Sequence, residues 1–171
     1  LKSFNVNYKE IDLINNDFDY EKIKESVKEN IKVIHIQRSR GYSLRDSLTI
    51  DKVEKVIKVI REINKKVIIF IDNCYCEFVE PTSPIKVGAN LIAGSLIKNL
   101  GAGIATNGAY IAGDEELVNL CAERLTVPGE GREVGPSQGA NRQIALGLYM
   151  APKVVSEALK TAILTTNTHN I

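Results

Sequence analysis

The chain of 171 residues carries 22 Lys and Arg against 21 Asp and Glu, and 44% of its residues are hydrophobic. This composition is typical of a globular protein with one core, and the near-neutral charge argues against a dedicated nucleic-acid-binding protein. No apolar run approaches the roughly 20 residues of a membrane helix, and three cysteines form no disulfide framework. The composition therefore predicts a cytoplasmic protein without membrane or nucleic-acid partners.

Short apolar runs predict four strands. In chain order they are residues 32–36, 67–71, 91–94 and 109–112. Apolar residues at helical spacing predict four helices, at residues 20–29, 50–63, 115–125 and 137–164. Because strands alternate with helices, we expect an α/β fold with a mainly parallel sheet flanked by helices.

Single residues mark the limits of several elements. Asp17 or Asp19 is expected to cap the first helix, and Asp114 the third. The run 67–71 has no polar face, which predicts a strand covered by helices on both sides. Pro152 lies inside the last helical pattern and is expected to kink or divide it, since proline interrupts the hydrogen bonds of a helix.

Polar residues follow two of the predicted strands. Asp72 comes directly after the second strand, and Ser95 and Lys98 follow the third. Ligands of open α/β sheets bind beyond the carboxyl ends of the strands, so an acid and an amine there indicate a site. Taken singly, Asp72 could cap a turn and Lys98 could be a solvated surface lysine. The pattern alone leaves both interpretations open.

The residues around Asp72 and Lys98 resemble those of a known enzyme family. Residues 71–74, Ile-Asp-Asn-Cys, resemble the Asp-Asn-Thr element of the Cys/Met-metabolism family of pyridoxal-phosphate (PLP) enzymes. Residues 88–98 are similar to the lysine segment of that family, and Lys98 follows Asp72 by 26 positions, close to the family's separation. Further segments extend a resemblance to the methionine γ-lyase-like, or aluminium resistance, group over residues 31 to about 160: 36–42, 72–75, 94–99 and 124–129.

This resemblance implies a fold-type I PLP enzyme, the aspartate aminotransferase-like fold. Lys98 would form the internal aldimine with the cofactor and act as general base, helped by a partly desolvated site that lowers its pKa. Asp72 would pair with the pyridinium nitrogen. Ser95 would bind the phosphate together with backbone amides of the loop 101–103. The implied reaction is carbon–sulfur bond cleavage in a sulfur amino acid, by a homodimer or homotetramer.

The chain lacks several parts that enzymes of this fold possess. Their phosphate-binding glycine loop and ring-stacking aromatic residue precede the aspartate, and a small C-terminal domain follows the lysine. We therefore expect residues 1–160 to be the latter part of the large PLP-binding domain and 161–171 a tail toward the small domain. On this view the 171 residues alone are inactive. The alternative is a catalytically inactive fragment or an assembly chain of the same fold.

Three positions depart from the family pattern. Ile97 replaces the threonine before the lysine and removes one hydroxyl that would bind phosphate, Asn99 replaces a tyrosine, and Asn90 replaces an aspartate. The glycine-rich stretch 101–108 faintly resembles a dinucleotide-binding loop. Because it leads to a strand rather than a helix, we set the nucleotide-binding hypothesis aside.

Other candidate residues leave alternatives open. Arg38 and Arg40, in a predicted loop, contact a phosphate or carboxylate or are simply solvated. Cys74 and Cys76 are interpreted as core thiols beside the site, with a redox-sensitive thiol as the alternative, rather than as zinc ligands. His35 is expected to be a core histidine.

A second glycine-rich stretch, residues 128–136, is too dense in glycine for a plain connection. It is expected to cover the site or a subunit interface, and the sequence does not separate these two roles.

Overall fold

A computed structural model describes residues 2–169, and for residues 2 and 169 it describes only the backbone. The structure confirms the α/β class. Residues 170 and 171 of the predicted tail lie outside the described residues. The strands are β1 Val33–Gln37, β2 Ile68–Asp72, β3 Leu91–Ser95 and β4 Ala109–Gly113. The α-helices are α1 Tyr20–Ser26, α2 Ile50–Ile63, α3 Glu115–Leu125 and α4 Asn141–His169. A short 3₁₀ turn, Lys2–Phe4, precedes these elements, and three more lie between them, at Pro84–Val87, Asn99–Gly101 and Gly131–Glu133.

The strands form one sheet in the order β1-β2-β3-β4. β1 and β2 are parallel, as are β2 and β3, with Asp72 of β2 opposite Gln37 and Ala93. β4 runs antiparallel to β3, with Ser95 opposite Ala109. The connection from β3 to β4 contains no α-helix, and parallel strands usually need such a crossover, so the chain returns in the opposite direction. A mainly parallel sheet is confirmed.

Helices α1 and α2 cover one face of the sheet. Ile69 and Ile71 of β2 are fully buried against the apolar face of α2, which includes Val53 and Val56. The opposite face is exposed at Val33 of β1 and only half-buried at β2. The prediction that helices cover β2 on both sides is therefore wrong for residues 2–169.

Two of the predicted caps have different outcomes. Asp19 caps α1, since its carboxylate accepts a hydrogen bond from the Lys22 N–H at 3.0 Å. Asp114 occupies the capping position of α3, but its side chain makes no bond to that helix. Its carboxylate accepts a hydrogen bond from the side-chain amide of Asn90 at 2.8 Å instead. Asn90 thus joins β3 to the beginning of α3.

Helix α4 continues through Pro152 as one helix, so the predicted division is wrong. The helix packs against the 3₁₀ turn that follows Lys98. Ala151 and Val155, on either side of the proline, are buried and keep the helix attached. Packing thus compensates for the missing hydrogen bond. None of the helices within residues 2–169 has both the length and the apolar composition to cross a membrane.

The closest approach of α4 to this turn occurs at Gly147. A Cβ atom there would lie 2.6 Å from the carbonyl oxygen of Gly101, a backbone atom that cannot move aside easily. We expect Gly147→Ala to destabilise the chain by about 1–3 kcal/mol, because the helix must move off the turn. Urea unfolding measures this. Lys153→Ala, on the exposed side of α4, is the control, and equal midpoints for both variants would contradict the close packing.

Candidate active site

The carboxyl ends of β2 and β3 bring Asp72 and Ser95 to one edge of the sheet. Asp72 is half-buried, and its Oδ1 accepts a hydrogen bond from the Cys74 N–H at 3.0 Å. The register places Ala93 opposite Asp72, and Ser95 follows two residues later. Since strand side chains alternate, Asp72 and Ser95 face the same side of the sheet. The side chain of Cys74 also interacts with the Asp72 carboxylate.

Lys98 lies just beyond β3, at the beginning of the 3₁₀ turn Asn99–Gly101. Its Nζ lies 4.5 Å from the centre of the Tyr75 ring, which is a cation–π contact. Tyr75 belongs to the turn after β2 and has a positive φ of 65°. The turn after Asp72 therefore holds the ammonium group of Lys98.

The residues around Lys98 change its pKa. Desolvation acts to lower the pKa of Lys98, but the Cys74 thiol, Tyr75 and the Asp72 carboxylate together raise it above its ordinary value. In this chain the pKa of Lys98 is therefore raised, whereas a lowered pKa would help the proposed role of its amine. The same effect shows that Asp72 and Lys98 are close enough to interact electrostatically.

The two neighbouring cysteines are free thiols. Burial raises the pKa of Cys74, and its contact with Asp72 raises it further, while Lys98 acts in the opposite direction. Burial raises the pKa of Cys76 to about 11. The thiolate is the reactive form of cysteine, so raised pKa values favour core thiols over redox-sensitive ones.

Arg38 contacts a carboxylate, as one of its two interpretations held, but the carboxylate is that of Glu80 within the protein. Only 2% of Arg38 is exposed, so it is not solvated. Its guanidinium donates to the Asn73 Oδ1 at 2.7 Å, to the Leu48 carbonyl at 3.2 Å and to the Glu80 carboxylate. Because Arg38 is buried among these protein groups, its guanidinium does not face solvent to bind an external phosphate or carboxylate. Arg40, in contrast, is exposed in the loop, as its second interpretation held.

Outside the strand ends, the prediction for His35 is wrong, and one of the two roles expected of residues 128–136 is not seen. His35 is not a core histidine, since its side chain is exposed and stacks on Phe70 with ring centres 5.0 Å apart. The stretch 128–136 does not cover Lys98 in the described structure. It folds back on α3, where the Gly129 N–H donates to the Glu123 carboxylate. A role of this stretch at a subunit interface stays a prediction.

Two backbone amides of the loop 101–103 are already used. The Gly101 N–H donates to the Lys98 carbonyl at 3.0 Å, and the Ala102 N–H donates to the Asn99 carbonyl at 3.2 Å. These bonds belong to the 3₁₀ turn, so the two amides cannot also bind phosphate as expected. The small residues of this loop instead allow α4 to approach.

A shallow groove of about 330 Å³ lies beside Lys98. One wall comes from the turns that follow β2 and β3, and the other from α4. Its principal lining residues are Tyr75, Val79, Ile97, Asn99, Val154 and Leu159. Apart from Lys98, no charged side chain lines it within residues 2–169. The groove can therefore hold an apolar group next to an amine.

Two polar residues near the site, the buried Glu77 and the half-buried Tyr110, were not predicted. Glu77 and Tyr110 form a hydrogen bond of 2.7 Å between the two strand ends, from the Tyr110 hydroxyl to the Glu77 carboxylate. Glu77 lies five positions after Asp72, in a turn whose conformation no local pattern predicts. Tyr110 lies in β4, and only the antiparallel pairing brings it there.

Comparison with known proteins places these residues in a family. The sequence profile described as methionine gamma-lyase matches residues 1–170. The chain is 43% identical over 166 residues to the uncharacterized protein YnbB of Bacillus subtilis, covering 96% of this chain and 39% of YnbB.

Two solved structures are similar to this chain in both sequence and fold. A Bacillus cereus protein is 44% identical with a TM-score of 0.92, over 96% of this chain and 40% of its own. A carbon–sulfur lyase involved in aluminum resistance from Clostridium novyi NT is 43% identical with a TM-score of 0.89, over 95% and 39%. A NifS-like protein, 16% identical with a TM-score of 0.68, shares the fold alone.

The chain thus spans about two fifths of the length of YnbB and of the two similar solved proteins. The family profile extends over almost the whole chain, and the resemblance to the aluminium resistance group is confirmed. The chain belongs to the methionine gamma-lyase family.

Proposed function

We propose that the chain is the lysine-bearing part of a PLP-dependent carbon–sulfur lyase that acts on a sulfur amino acid. The observation that carries this proposal is the convergence of Asp72, Ser95 and Lys98 at one edge of the sheet. Its similarity to the Clostridium novyi carbon–sulfur lyase supports the reaction class. Membership of the family supports a lyase-like protein. The PLP cofactor and the sulfur amino acid substrate are our proposal.

The residues present fit the polar groups of PLP. The Asp72 carboxylate is half-buried at the end of its strand, which suits a pairing with a protonated ring nitrogen. Lys98 supplies a primary amine for the aldehyde, and Ser95 a hydroxyl for the phosphate. When bound, PLP supplies an electron sink that stabilises a carbanion at the substrate Cα.

Lys98 is proposed to move the protons of the reaction. Its neutral amine takes the proton from the substrate Cα, and its ammonium form later donates a proton to the leaving sulfur. The carbon–sulfur bond breaks with both electrons on sulfur, and this proton completes the thiol. Because its neighbours raise the pKa of Lys98, the amine must lose its proton before it can act as the base.

The apolar groove beside Lys98 is proposed to hold the thioether side chain of the substrate. Val79, Ile97 and Leu159 offer it contacts without charge, and they exclude water from the departing sulfur. Exposed apolar side chains on α3 and α4, such as Leu125 and Tyr149, favour association of copies of the chain. We therefore also propose the predicted homodimer or homotetramer.

Reduction with borohydride in the presence of PLP tests the proposed lysine. We expect the phosphopyridoxyl group on Lys98 in the protein at its natural length, located by peptide mass spectrometry. Lys86, which is exposed in another 3₁₀ turn, is the matched control. Modification of Lys98 should exceed that of Lys86 at least about tenfold, because a specific site raises the local concentration of the aldehyde.

The outcome that contradicts the proposal is equal modification of Lys98 and of the other exposed lysines. The same treatment of the 171-residue chain separates the two hypotheses for these residues. Selective labelling of Lys98 in the short chain would show that it binds the cofactor by itself. Labelling only in the longer protein would show that these residues form an inactive part when alone.

A further inference from the structure

Glu77 is a buried acid that the proposed chemistry does not use. It lies in the turn between β2 and the 3₁₀ turn Pro84–Val87, and only 7% of it is exposed. Its Oε1 accepts the bond from Tyr110, while its Oε2 is buried without a hydrogen-bond partner among the described residues. Burial raises the pKa of Glu77 above its ordinary value. Burial of a carboxyl group with one oxygen unpaired costs free energy, because that oxygen loses its hydrogen bonds to water.

Contacts of Glu77 reach both strand ends of the site. The Tyr110 hydroxyl that donates to Glu77 also accepts a hydrogen bond from the Asn73 side-chain amide at 3.4 Å, and Asn73 follows Asp72. The backbone carbonyl of Glu77 accepts from the side-chain amide of Asn99 at 2.9 Å, and Asn99 follows Lys98. One residue therefore connects the segment that bears Asp72 to the segment that bears Lys98.

The strand beneath this pair is shaped to accommodate it. A Cβ atom at Gly94 would lie 2.5 Å from the Glu77 Oε1 and would also overlap the Tyr110 ring. Gly94 lies in β3, four positions before Lys98. Glu77 and Tyr110 thus pack directly on the backbone of the strand that leads to Lys98, on the face opposite to Ser95.

We propose that Glu77 is a positioning residue that holds the turn after Asp72 against Lys98. It does so through the Tyr110 hydrogen bond and the Asn99 bond to its carbonyl. Without this connection, the turn that carries Cys74 and Tyr75 moves away from the lysine. The importance of this position for catalysis rests on the proposed function.

The pH profile of Lys98 provides a measurement that needs no cofactor. Its pKa is raised by Cys74 and Tyr75, which belong to the turn that Glu77 holds, and by Asp72, the strand residue before that turn. Pulse labelling with acetic anhydride across a pH series, followed by mass spectrometry of the Lys98 peptide, reports this pKa. The Lys86 peptide from the same digest normalises the reagent.

Glu77→Ala and Tyr110→Phe should each lower the half-labelling pH of Lys98 by about half a unit or more, because its neighbours move away. Glu77→Gln keeps an oxygen acceptor for Tyr110 but removes a charge that interacts with Lys98, so its profile should shift less than that of Glu77→Ala. Circular dichroism shows whether Glu77→Ala folds. If it does not, Tyr110→Phe decides the question, because that variant keeps Glu77 and its charge in place.

Two results would overturn the proposal. One is an unchanged Lys98 profile in Tyr110→Phe, which would show that the bond positions nothing. The other is a shift in Glu77→Gln as large as in Glu77→Ala, which would assign the effect to charge. This labelling uses no PLP, so the two proposals can fail separately. If the borohydride experiment fails while the labelling shifts appear as expected, the proposed function is rejected and the positioning role of Glu77 stands.

Discussion

Lys98→Ala is expected to abolish thiol release from sulfur amino acids by the protein at its natural length. A positioned general base contributes about a hundredfold to ten-thousandfold to the rate, and loss of the attachment point for PLP adds to this. Thiol release, measured with a disulfide reagent, checks the prediction. The exposed control Lys86→Ala should retain full activity.

Restoration by a small amine extends this test. Ethylamine should recover part of the activity of Lys98→Ala, because a free amine can occupy the space and carry the same proton. An enzyme that keeps activity within about tenfold after Lys98→Ala would contradict the base role, since that loss is smaller than such a base supplies. Circular dichroism should show the same fold, because Lys98 reaches into a groove rather than the core.

Arg38→Met is expected to cost about 3 kcal/mol or more of unfolding free energy, the lower part of the range for breaking a buried ion pair. Methionine fills the space but leaves the Asn73 oxygen and the Leu48 carbonyl without their donor. Glu80 also loses its cation, although it is 28% exposed and keeps its bond to the Ile50 N–H at 3.0 Å. Guanidinium unfolding midpoints at constant slope give the value.

Arg40→Met is the matched control for this prediction. The two arginines lie two positions apart, but Arg40 is exposed and its side chain makes no hydrogen bond among the described residues. Its substitution should change the free energy of unfolding by less than about 0.5 kcal/mol. Equal losses in the two variants would contradict the buried network around Arg38.

The network around Arg38 also explains why sequence reasoning did not identify its role. Asn73 and Glu80 lie 35 and 42 positions after Arg38 in the sequence. Only the parallel pairing of β1 and β2 brings them close to the arginine. An arginine in a polar loop has the same local sequence pattern whether it is solvated or buried. Burial of a charge depends on partners that are distant in the chain.

Local patterns did predict most of the secondary structure. The spacing of apolar residues in α2 predicted the helix at residues 50–63, because one face of that helix meets the sheet. The strand runs were placed within one residue at each end. Helix α4 was predicted less well, since a local rule about Pro152 cannot include the buried contacts of Ala151 and Val155.

The sequence by itself determined the α/β class, the family and the candidate residues Asp72, Ser95 and Lys98, because each depends on local pattern or on motif spacing. The tertiary structure decided what surrounds them. The folded chain places Cys74 and Tyr75 against Lys98, and these neighbours raise the pKa of Lys98. It also joins the two strand ends through Glu77. Such effects depend on distances between groups far apart in the chain, which only the folded backbone sets.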